Sequence, residues 1–208
     1  METKKMRKSG ILFGIVLLVM TLNGCAKPPQ ANVDAAKGAV ESARSAEAGT
    51  YAQASLRAAE DAAAQLDAEL KAQEDKFALF RSYKKADELA AAAKSAGEKA
   101  TADAKAAKEQ KKNEAQAAIA EAKTMLDEAN AELATAPTGK GTQADLATLK
   151  ADLEGVASAI TEAEGMLAAE KYMDAKAKAD AAKQTTQSVK AAVEEAKAAK
   201  LAAKGHKK

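Results

Sequence analysis

Apolar residues recur at alternating three- and four-residue intervals along most of the chain, which is the spacing of α-helices that bury one face. In residues 54–80, one series of heptad positions is Leu56, Ala63, Leu70 and Phe77, and the interleaved series is Ala59, Leu66, Gln73 and Phe80. In residues 144–168, the two series are Leu146, Leu153, Ile160 and Leu167, and Leu149, Val156 and Ala163. These leucine-rich stripes predict helices that pack in a bundle.

The same arrangement of three helical segments occurs twice. A second stretch follows each leucine-rich stripe and begins with Tyr-x-x-Ala-x-x-x-Ala, at Tyr83 in one copy and at Tyr172 in the other. A shorter apolar stripe precedes each one, from Val33 to Ala43 and from Ile119 to Leu133. The repetition predicts two tandem three-helix units, residues 32–111 and residues 112–203.

The connections between helices are also repeated. Glycine followed by threonine, at Gly49 and Gly141, should end one helix and cap the next, and tight turns are expected near Arg81-Ser82 and Glu170-Lys171. No comparable break occurs between about Ser82 and Ala134. The third helix of the first unit should therefore continue into the first helix of the second, as one helix of roughly 80 Å.

Composition supports an all-α fold and argues against most enzymes. Alanine accounts for 58 of 208 residues, tryptophan is absent and aromatic residues make up 3%. Such a chain favours an elongated antiparallel helical bundle over any β-rich domain. His206 is the single histidine and Cys25 the single cysteine, and no phosphate-binding or nucleophile motif is present. We therefore expect no catalysis, no metal site and no small-molecule substrate.

The N-terminal residues predict export. A basic segment from Met1 to Lys8 precedes the apolar run from Ile11 to Leu22. Twelve residues span about 18 Å of helix, which is too short to cross a bilayer, so the run is typical of a signal peptide. The sequence Leu22-Asn23-Gly24-Cys25 then resembles the lipobox of bacterial lipoproteins, although Asn23 replaces the small or apolar residue usual there.

The lipobox resemblance implies covalent lipidation of Cys25. In that family the thiol receives a diacylglycerol, the signal is cleaved before the cysteine and the new amino terminus is acylated. Residues 1–24 would then be the signal peptide, and residues 25–31 the lipidated cysteine with a stiff, extended spacer. The residue after Cys25 is Ala26 and not aspartate. This resembles the lipoproteins that enteric bacteria sort to the outer membrane, and it implies a location on the periplasmic face of that membrane. The alternative is an incidental cysteine after an ordinary signal.

The helical motifs suggest a family as well. The Gln-Ala-(Ser/Asp)-Leu helix start at Gln53 and Gln143, the Tyr-x-x-Ala-x-x-x-Ala helix and the lipobox together resemble bacterial alanine-rich envelope lipoproteins. These carry a tetratricopeptide-like helical domain of unknown function. The resemblance implies an envelope location and an all-helical fold, and it implies no catalytic residue.

Charge excludes a nucleic-acid partner and leaves two interpretations of the C-terminal tail. Without residues 1–24 the chain has 28 basic and 29 acidic side chains, so no net positive charge remains. The run from Lys197 to Lys208 carries five lysines and no acid. It either complements the dipole of a helix C-terminus or contacts an anionic envelope polymer through Lys204, Lys207 and Lys208. A distant likeness to murein lipoprotein adds a covalent version, in which Lys208 is joined to peptidoglycan.

Four aromatic residues lie near the predicted turns between the second and third helices, namely Phe77, Phe80, Tyr83 and Tyr172. We expect them to cap the core, and the alternative is a small apolar contact site for a partner helix.

For the whole protein, the sequence favours a lipid-anchored, non-catalytic structural or spacer lipoprotein of the cell envelope. The alternative is a lipid-anchored helical adaptor that binds another envelope protein or peptidoglycan.

Overall fold

The structure, a computed structural model, describes residues 27–137 and 143–205, in which the regular elements are helices joined by short turns, with no strand among them. The helices are α1 (Gln30–Ser45), the single turn α2 (Ala48–Tyr51), α3 (Gln53–Glu74), α4 (Lys84–Ala134), α5 (Gln143–Ala168) and α6 (Tyr172–Gly205). A short 3-10 helix, Ala78–Phe80, lies between α3 and α4. The predicted all-α class is confirmed.

The longest element is α4, a single helix of 51 residues. The chain divides into two compact units between Ala106 and Ala107, so α4 contributes its first part to one unit and its second part to the other. This confirms the predicted helix shared by two three-helix units. The continuity follows from the composition, because α4 consists largely of alanine, lysine and glutamate and contains no proline.

Unit 1 packs α1, α3 and the first part of α4 around small side chains. One buried cluster joins Val33, Ala36, Leu66, Tyr83, Ala86, Ala90 and Ala93, and a second joins Val40, Ala43, Ala48, Ala59, Ala100 and Ala104. Leu66 is fully buried, whereas Leu70 is only partly buried at the edge of the first cluster. Alanine-rich faces allow the helices to approach closely but bury little area per residue.

The contact between α1 and α4 is closest at Gly97. A Cβ atom placed on Gly97 would lie 2.7 Å from the carbonyl carbon of Ala39 and 2.9 Å from the Cβ atom of Ala39. The missing side chain therefore allows the two helix backbones to touch at this point.

The turns between antiparallel helices use glutamate where a glycine would be usual. Glu47, between α1 and α2, and Glu170, between α5 and α6, both have φ of 59°, the left-handed conformation. The turn predicted near Glu170 is confirmed. The predicted Gly-Thr stop and cap at Gly49 is wrong, because α1 ends earlier at Ser45 and Gly49 lies inside α2. Helix α3 begins after Ala52 without any side-chain cap.

Unit 2 packs the second part of α4 against α5 and α6 and has the larger apolar side chains. One cluster joins Ala118, Ile119, Ala122, Val156, Ile160, Ala163, Ala179 and Ala182, and the other joins Ala129, Ala136, Leu153, Val189 and Val193. The stripe assigned to α5 from the sequence is thus the one that fills this core. Leu153 is 2% exposed.

Candidate functional site

Most residues of the predicted lipidation and tail sites lie outside the part of the chain that the structure describes. This applies to Leu22, Asn23, Gly24 and Cys25, and to His206, Lys207 and Lys208. Lys204 lies within α6, but its side chain is also outside the described part. The structure does describe where the chain that follows Cys25 enters the fold.

The chain enters unit 1 at the start of α1, only five residues after Cys25. Five residues span at most about 18 Å. The sequence predicted an extended spacer, but the spacer turns at Pro29, which has φ of −76° and ψ of 67°. The N–H of Gln30 donates to the carbonyl oxygen of Pro28 at 2.8 Å. This is an inverse γ-turn, and it leads directly into the first turn of α1. A lipid on Cys25 would therefore be close to this end of unit 1.

The same end of unit 1 holds the connection between α3 and α4. Helix α1 runs away from this end and α3 returns to it, so the end of α3 and the start of α4 lie beside the start of α1. Two contacts establish the juxtaposition. The side-chain amide of Asn32 donates to the carboxylate of Asp87, and Val33 packs in one cluster with Leu66 and Tyr83.

The connection between α3 and α4 is held by hydrogen bonds at its base. The buried side chain of Gln73 accepts from the backbone N–H of Ser82 at 3.0 Å and donates to Glu69 at 2.7 Å. The guanidinium of Arg81 donates to the carbonyl oxygens of Lys76, at 2.9 Å, and Glu74, at 2.8 Å. Arg81 thus satisfies backbone acceptors that become unpaired where α3 ends.

This connection projects three large apolar side chains into solvent. Phe77 is 69% exposed, Leu79 is 73% exposed and Phe80 is 76% exposed, and the two phenylalanine rings are 6.3 Å apart between centroids. We call Phe77, Leu79 and Phe80 the apolar loop. The prediction that Phe77 and Phe80 cap the core is wrong. Helix α3 ends at Glu74, so the apolar stripe that was counted to residue 80 is not buried beyond this point. Tyr83 and Tyr172, by contrast, are each 7% exposed, as core residues are.

Basic residues outnumber acidic ones around the apolar loop. Residues 71–85 contain Lys71, Lys76, Arg81, Lys84 and Lys85, against Glu74 and Asp75. Lys85 forms an ion pair with Glu69 at 3.0 Å. The pKa of Glu69 is lowered, mainly by the hydrogen bond from Gln73 and then by the one from Lys85. Glu69, Asp87 and Glu88 lie just outside this stretch, so Lys76 and Arg81 directly flank the apolar loop while this end of unit 1 as a whole carries charges of both signs.

The charged side chains of unit 2 are arranged to hold helices together. Lys183 pairs with Glu121 at 2.7 Å, and Lys190 pairs with Glu128 at 2.9 Å and Glu132 at 3.0 Å, so that α6 is linked to α4 at heptad spacing. Glu194, four residues after Lys190 on α6, forms an ion pair with Lys197 at 2.7 Å. Hydrogen bonds to Glu128 and Glu132 raise the pKa of Lys190, with Glu128 contributing most. These pairs are partly exposed and each contributes little to stability.

An open apolar groove runs between α5 and α6 in unit 2. It has a volume of about 410 Å³ and is lined mainly by Leu146, Leu149, Ala192, Ala196 and Ala199. Within residues 27–137 and 143–205, no three His, Cys, Asp or Glu side chains are placed to hold a metal ion together. Buried polar side chains in these ranges are Gln73 and Thr186, and Thr186 donates to the carbonyl oxygen of Ala182 at 2.9 Å.

Comparison with known proteins gives no relative, since no family model, no curated protein and no solved structure matches this chain. None of the helices in the described part is long and apolar enough to cross a lipid bilayer.

Acidification should destabilise the fold. Hydrogen bonds lower the pKa of several carboxylates below their ordinary values of 4.5 for Glu and 3.8 for Asp, and the main donors are Gln73 to Glu69, Lys99 to Asp103, Lys108 to Glu170 and Lys176 to Asp180. A depressed pKa contributes stability that is present above the unfolded value and is lost as the pH falls through the folded value. The raised pKa values of Lys183 and Lys190 act oppositely, since their contribution is lost only as the pH rises above 10.5.

Thermal melts followed by circular dichroism should therefore give a constant melting temperature between about pH 6 and pH 9 and a lower one below about pH 4. Added salt at pH 7 should reproduce part of the loss by screening the same pairs. A melting temperature that stays unchanged down to pH 3 would show that these carboxylates do not stabilise the fold.

Proposed function

We propose that this protein is a lipid-anchored, non-catalytic structural or spacer lipoprotein of the bacterial cell envelope. The observation that carries the proposal is Leu22-Asn23-Gly24-Cys25 at the end of an apolar run that is too short to span a bilayer. The helical body begins five residues later, which suits a domain held close to a membrane by its first residue. Three acyl chains on one cysteine make a strong anchor, because a single chain gives only marginal binding.

The chemistry of the helical body supports a structural role. The buried side chains of both units are alanine, valine, leucine, isoleucine and tyrosine, with Gln73 and Thr186 bonded within the fold. The carboxylates with lowered pKa values are partly exposed, or exposed at Glu170, and each accepts from a lysine or glutamine side chain. Ala26 after the cysteine favours the periplasmic face of the outer membrane, on the resemblance to the enteric sorting pattern.

A second candidate function is an adaptor that binds another envelope protein or peptidoglycan. The observation that favours it is the open apolar groove between α5 and α6, where a partner helix could cover Leu146 and Leu149. The basic tail, including Lys204, Lys207 and Lys208, offers the polymer version of the same role. Crosslinking in intact envelopes followed by purification distinguishes these functions, because a single stoichiometric protein partner supports the adaptor and its absence supports the spacer.

The anchor is tested by changing Cys25→Ser. The chain has no other cysteine, so this variant should lose all incorporation of labelled palmitate and accumulate as an uncleaved or mislocalised precursor. The unchanged protein should be labelled and should fractionate with the outer membrane.

The matched control is Asn23→Ala, which brings the lipobox closer to the usual pattern and should keep both labelling and cleavage. Lipid labelling that persists in Cys25→Ser would refute the lipoprotein function altogether. If Cys25→Ser loses the label but the unchanged protein fractionates with the inner membrane, the anchor stands and only the sorting to the outer membrane is overturned.

A further inference from the structure

The apolar loop is an unusual surface for an alanine-rich helical protein. Phe77, Leu79 and Phe80 fall within four consecutive positions and are each more than two-thirds exposed. The other large apolar side chains exposed in the described part, Met173 and Leu201, are isolated from one another in sequence. Contiguous exposed apolar side chains indicate a contact surface, since isolated ones are normal on any protein.

The exposure is built into the fold and does not result from a loose connection. Gln73 and Arg81 fix the two ends of the segment through hydrogen bonds to backbone groups of residues 74, 76 and 82. The N–H of Phe80 donates to the carbonyl oxygen of Phe77 at 2.8 Å and closes a tight turn. The two rings and Leu79 are thereby held outward, away from the cluster that contains Tyr83.

The position of the apolar loop in unit 1 points to what covers it. Tyr83, three residues after Phe80, packs with Val33 near the start of α1, and Gln30 is five residues after Cys25. A lipid on Cys25 would thus hold the bilayer surface close to the end of unit 1 that carries the apolar loop. Because the tether is short, the loop would meet this surface at a high effective concentration.

The residues around the apolar loop suit a phospholipid surface. Lys76 and Lys84 are exposed on either side of it, and Lys27 is exposed in the spacer on the same end of the unit. The acidic neighbours are Glu74 and Asp75, with Glu69, Asp87 and Glu88 farther along α3 and α4, so the basic side chains are adjacent to the apolar loop but do not give this end a net positive charge. Protein segments that lie in the interfacial region of anionic bilayers typically combine phenylalanine and leucine with neighbouring lysine residues.

We propose that the apolar loop is a second membrane contact, in which Phe77, Leu79 and Phe80 insert into the leaflet that holds the lipid on Cys25. This inference deepens the proposed function and rests on it. Two contacts at one end of unit 1, one covalent and one inserted, would fix the orientation of that end on the membrane, whereas a lipid tether alone would leave it free to rotate. The contact of the apolar loop with the membrane is non-covalent, in contrast to the lipid on Cys25.

The experiment uses the absence of tryptophan from the chain. The lipidated full chain carrying Phe80→Trp is reconstituted into vesicles of phosphatidylethanolamine and phosphatidylglycerol, with and without brominated acyl chains. The control is Thr50→Trp, at an exposed position in α2, beyond the far end of the 16-residue helix α1. That helix separates the two probes by about 24 Å.

The expected result is a blue-shifted emission for Phe80→Trp that is quenched by the brominated lipid, while Thr50→Trp keeps the emission of an exposed tryptophan without quenching. An unshifted emission at position 80 would overturn the proposal. A blue shift without quenching would also overturn it, because a second copy or a partner helix would then cover the loop. Quenching of the tryptophans at both position 80 and position 50 would overturn the proposed orientation, in which only the apolar-loop end of unit 1 contacts the membrane.

Failure of the anchor is read separately. If Cys25→Ser keeps its lipid label, the lipoprotein function fails whatever the tryptophan reports. If labelling of Cys25 holds and position 80 stays exposed to water, the second contact fails and the anchor stands. Both tryptophan variants replace exposed side chains, so matching circular dichroism spectra should confirm that the fold is unchanged.

Discussion

Changing Leu153→Ala should lower the melting temperature of unit 2 by roughly 10 °C or more, because truncation of a buried leucine typically costs about 2–5 kcal/mol. Leu153 is one of the largest fully buried side chains in the described part. It lies in a buried cluster with Ala129, Val189 and Val193, so its truncation would leave a cavity in the core of unit 2.

The matched control is Leu201→Ala, which removes the same atoms from a side chain in α6 that is 71% exposed. Its melting temperature should stay close to that of the unchanged protein, since surface substitutions are usually within about 0.5 kcal/mol. Thermal melts by circular dichroism give both values. Equal melting temperatures for Leu153→Ala and Leu201→Ala would mean that the assigned register of α5 is wrong.

The second large effect is expected for Gly97→Val in α4. A Cβ atom at Gly97 would lie 2.7 Å from the carbonyl carbon of Ala39 and 2.9 Å from its oxygen, and backbone atoms cannot rotate away. Helices α1 and α4 would have to separate and lose contacts along their length. Overpacking of this kind typically costs about 1–3 kcal/mol, and more where backbone must move.

Gly38→Val is the control for this substitution, since Gly38 lies in α1 next to Ala39 and a Cβ atom there would meet nothing within 4 Å. It should be neutral or slightly stabilising, because glycine is the poorer helix former. The comparison therefore tests the contact rather than the helix propensity. If Gly97→Val melts at the same temperature as Gly38→Val, the close approach of α1 and α4 does not exist in solution.

The elements that the sequence predicted well are those set by local pattern. The stripe in residues 144–168 and the absence of breakers between Ser82 and Ala134 identified α5 and the continuous α4 to within two residues at most. Gly97 follows Tyr83 and Ala90 at seven-residue intervals, which is the spacing of a buried stripe. Its role was not predictable, because only the packed helices show that a backbone of α1 lies where its side chain would be.

The apolar loop was missed for a physical reason. Counting heptads continues a helix for as long as apolar residues keep the period, and Phe77 and Phe80 keep it. What ends α3 at Glu74 is a set of bonds from Arg81 and Gln73 to backbone groups, together with an extended Phe77 at ψ of 138°. The arginine side chain reaches back seven residues, and an apolar period contains no information about such a bond.

The ion pairs of Lys190 show the same limit. Glu194 lies four residues after Lys190 on the same helix, but the side chain of Lys190 reaches Glu128 and Glu132 on α4. The choice depends on how the two helices are rotated against each other, which the apolar stripe gives only approximately. The sequence Leu22-Asn23-Gly24-Cys25, in contrast, is a local pattern that resembles a lipobox, and it lies outside the described residues and stays a prediction.

The continuity of α4 bears on the order in which the protein folds. Starting a helix is unfavourable because the first turn fixes several residues for one hydrogen bond, whereas lengthening an existing helix adds one bond for each residue fixed. Once either unit has formed its core, its part of α4 is already helical. That part can serve as the nucleus from which the remaining residues of α4, which belong to the other unit, become helical. We expect the second unit to form by propagation from that nucleus, so that the 51 residues of α4 couple the folding of the two cores.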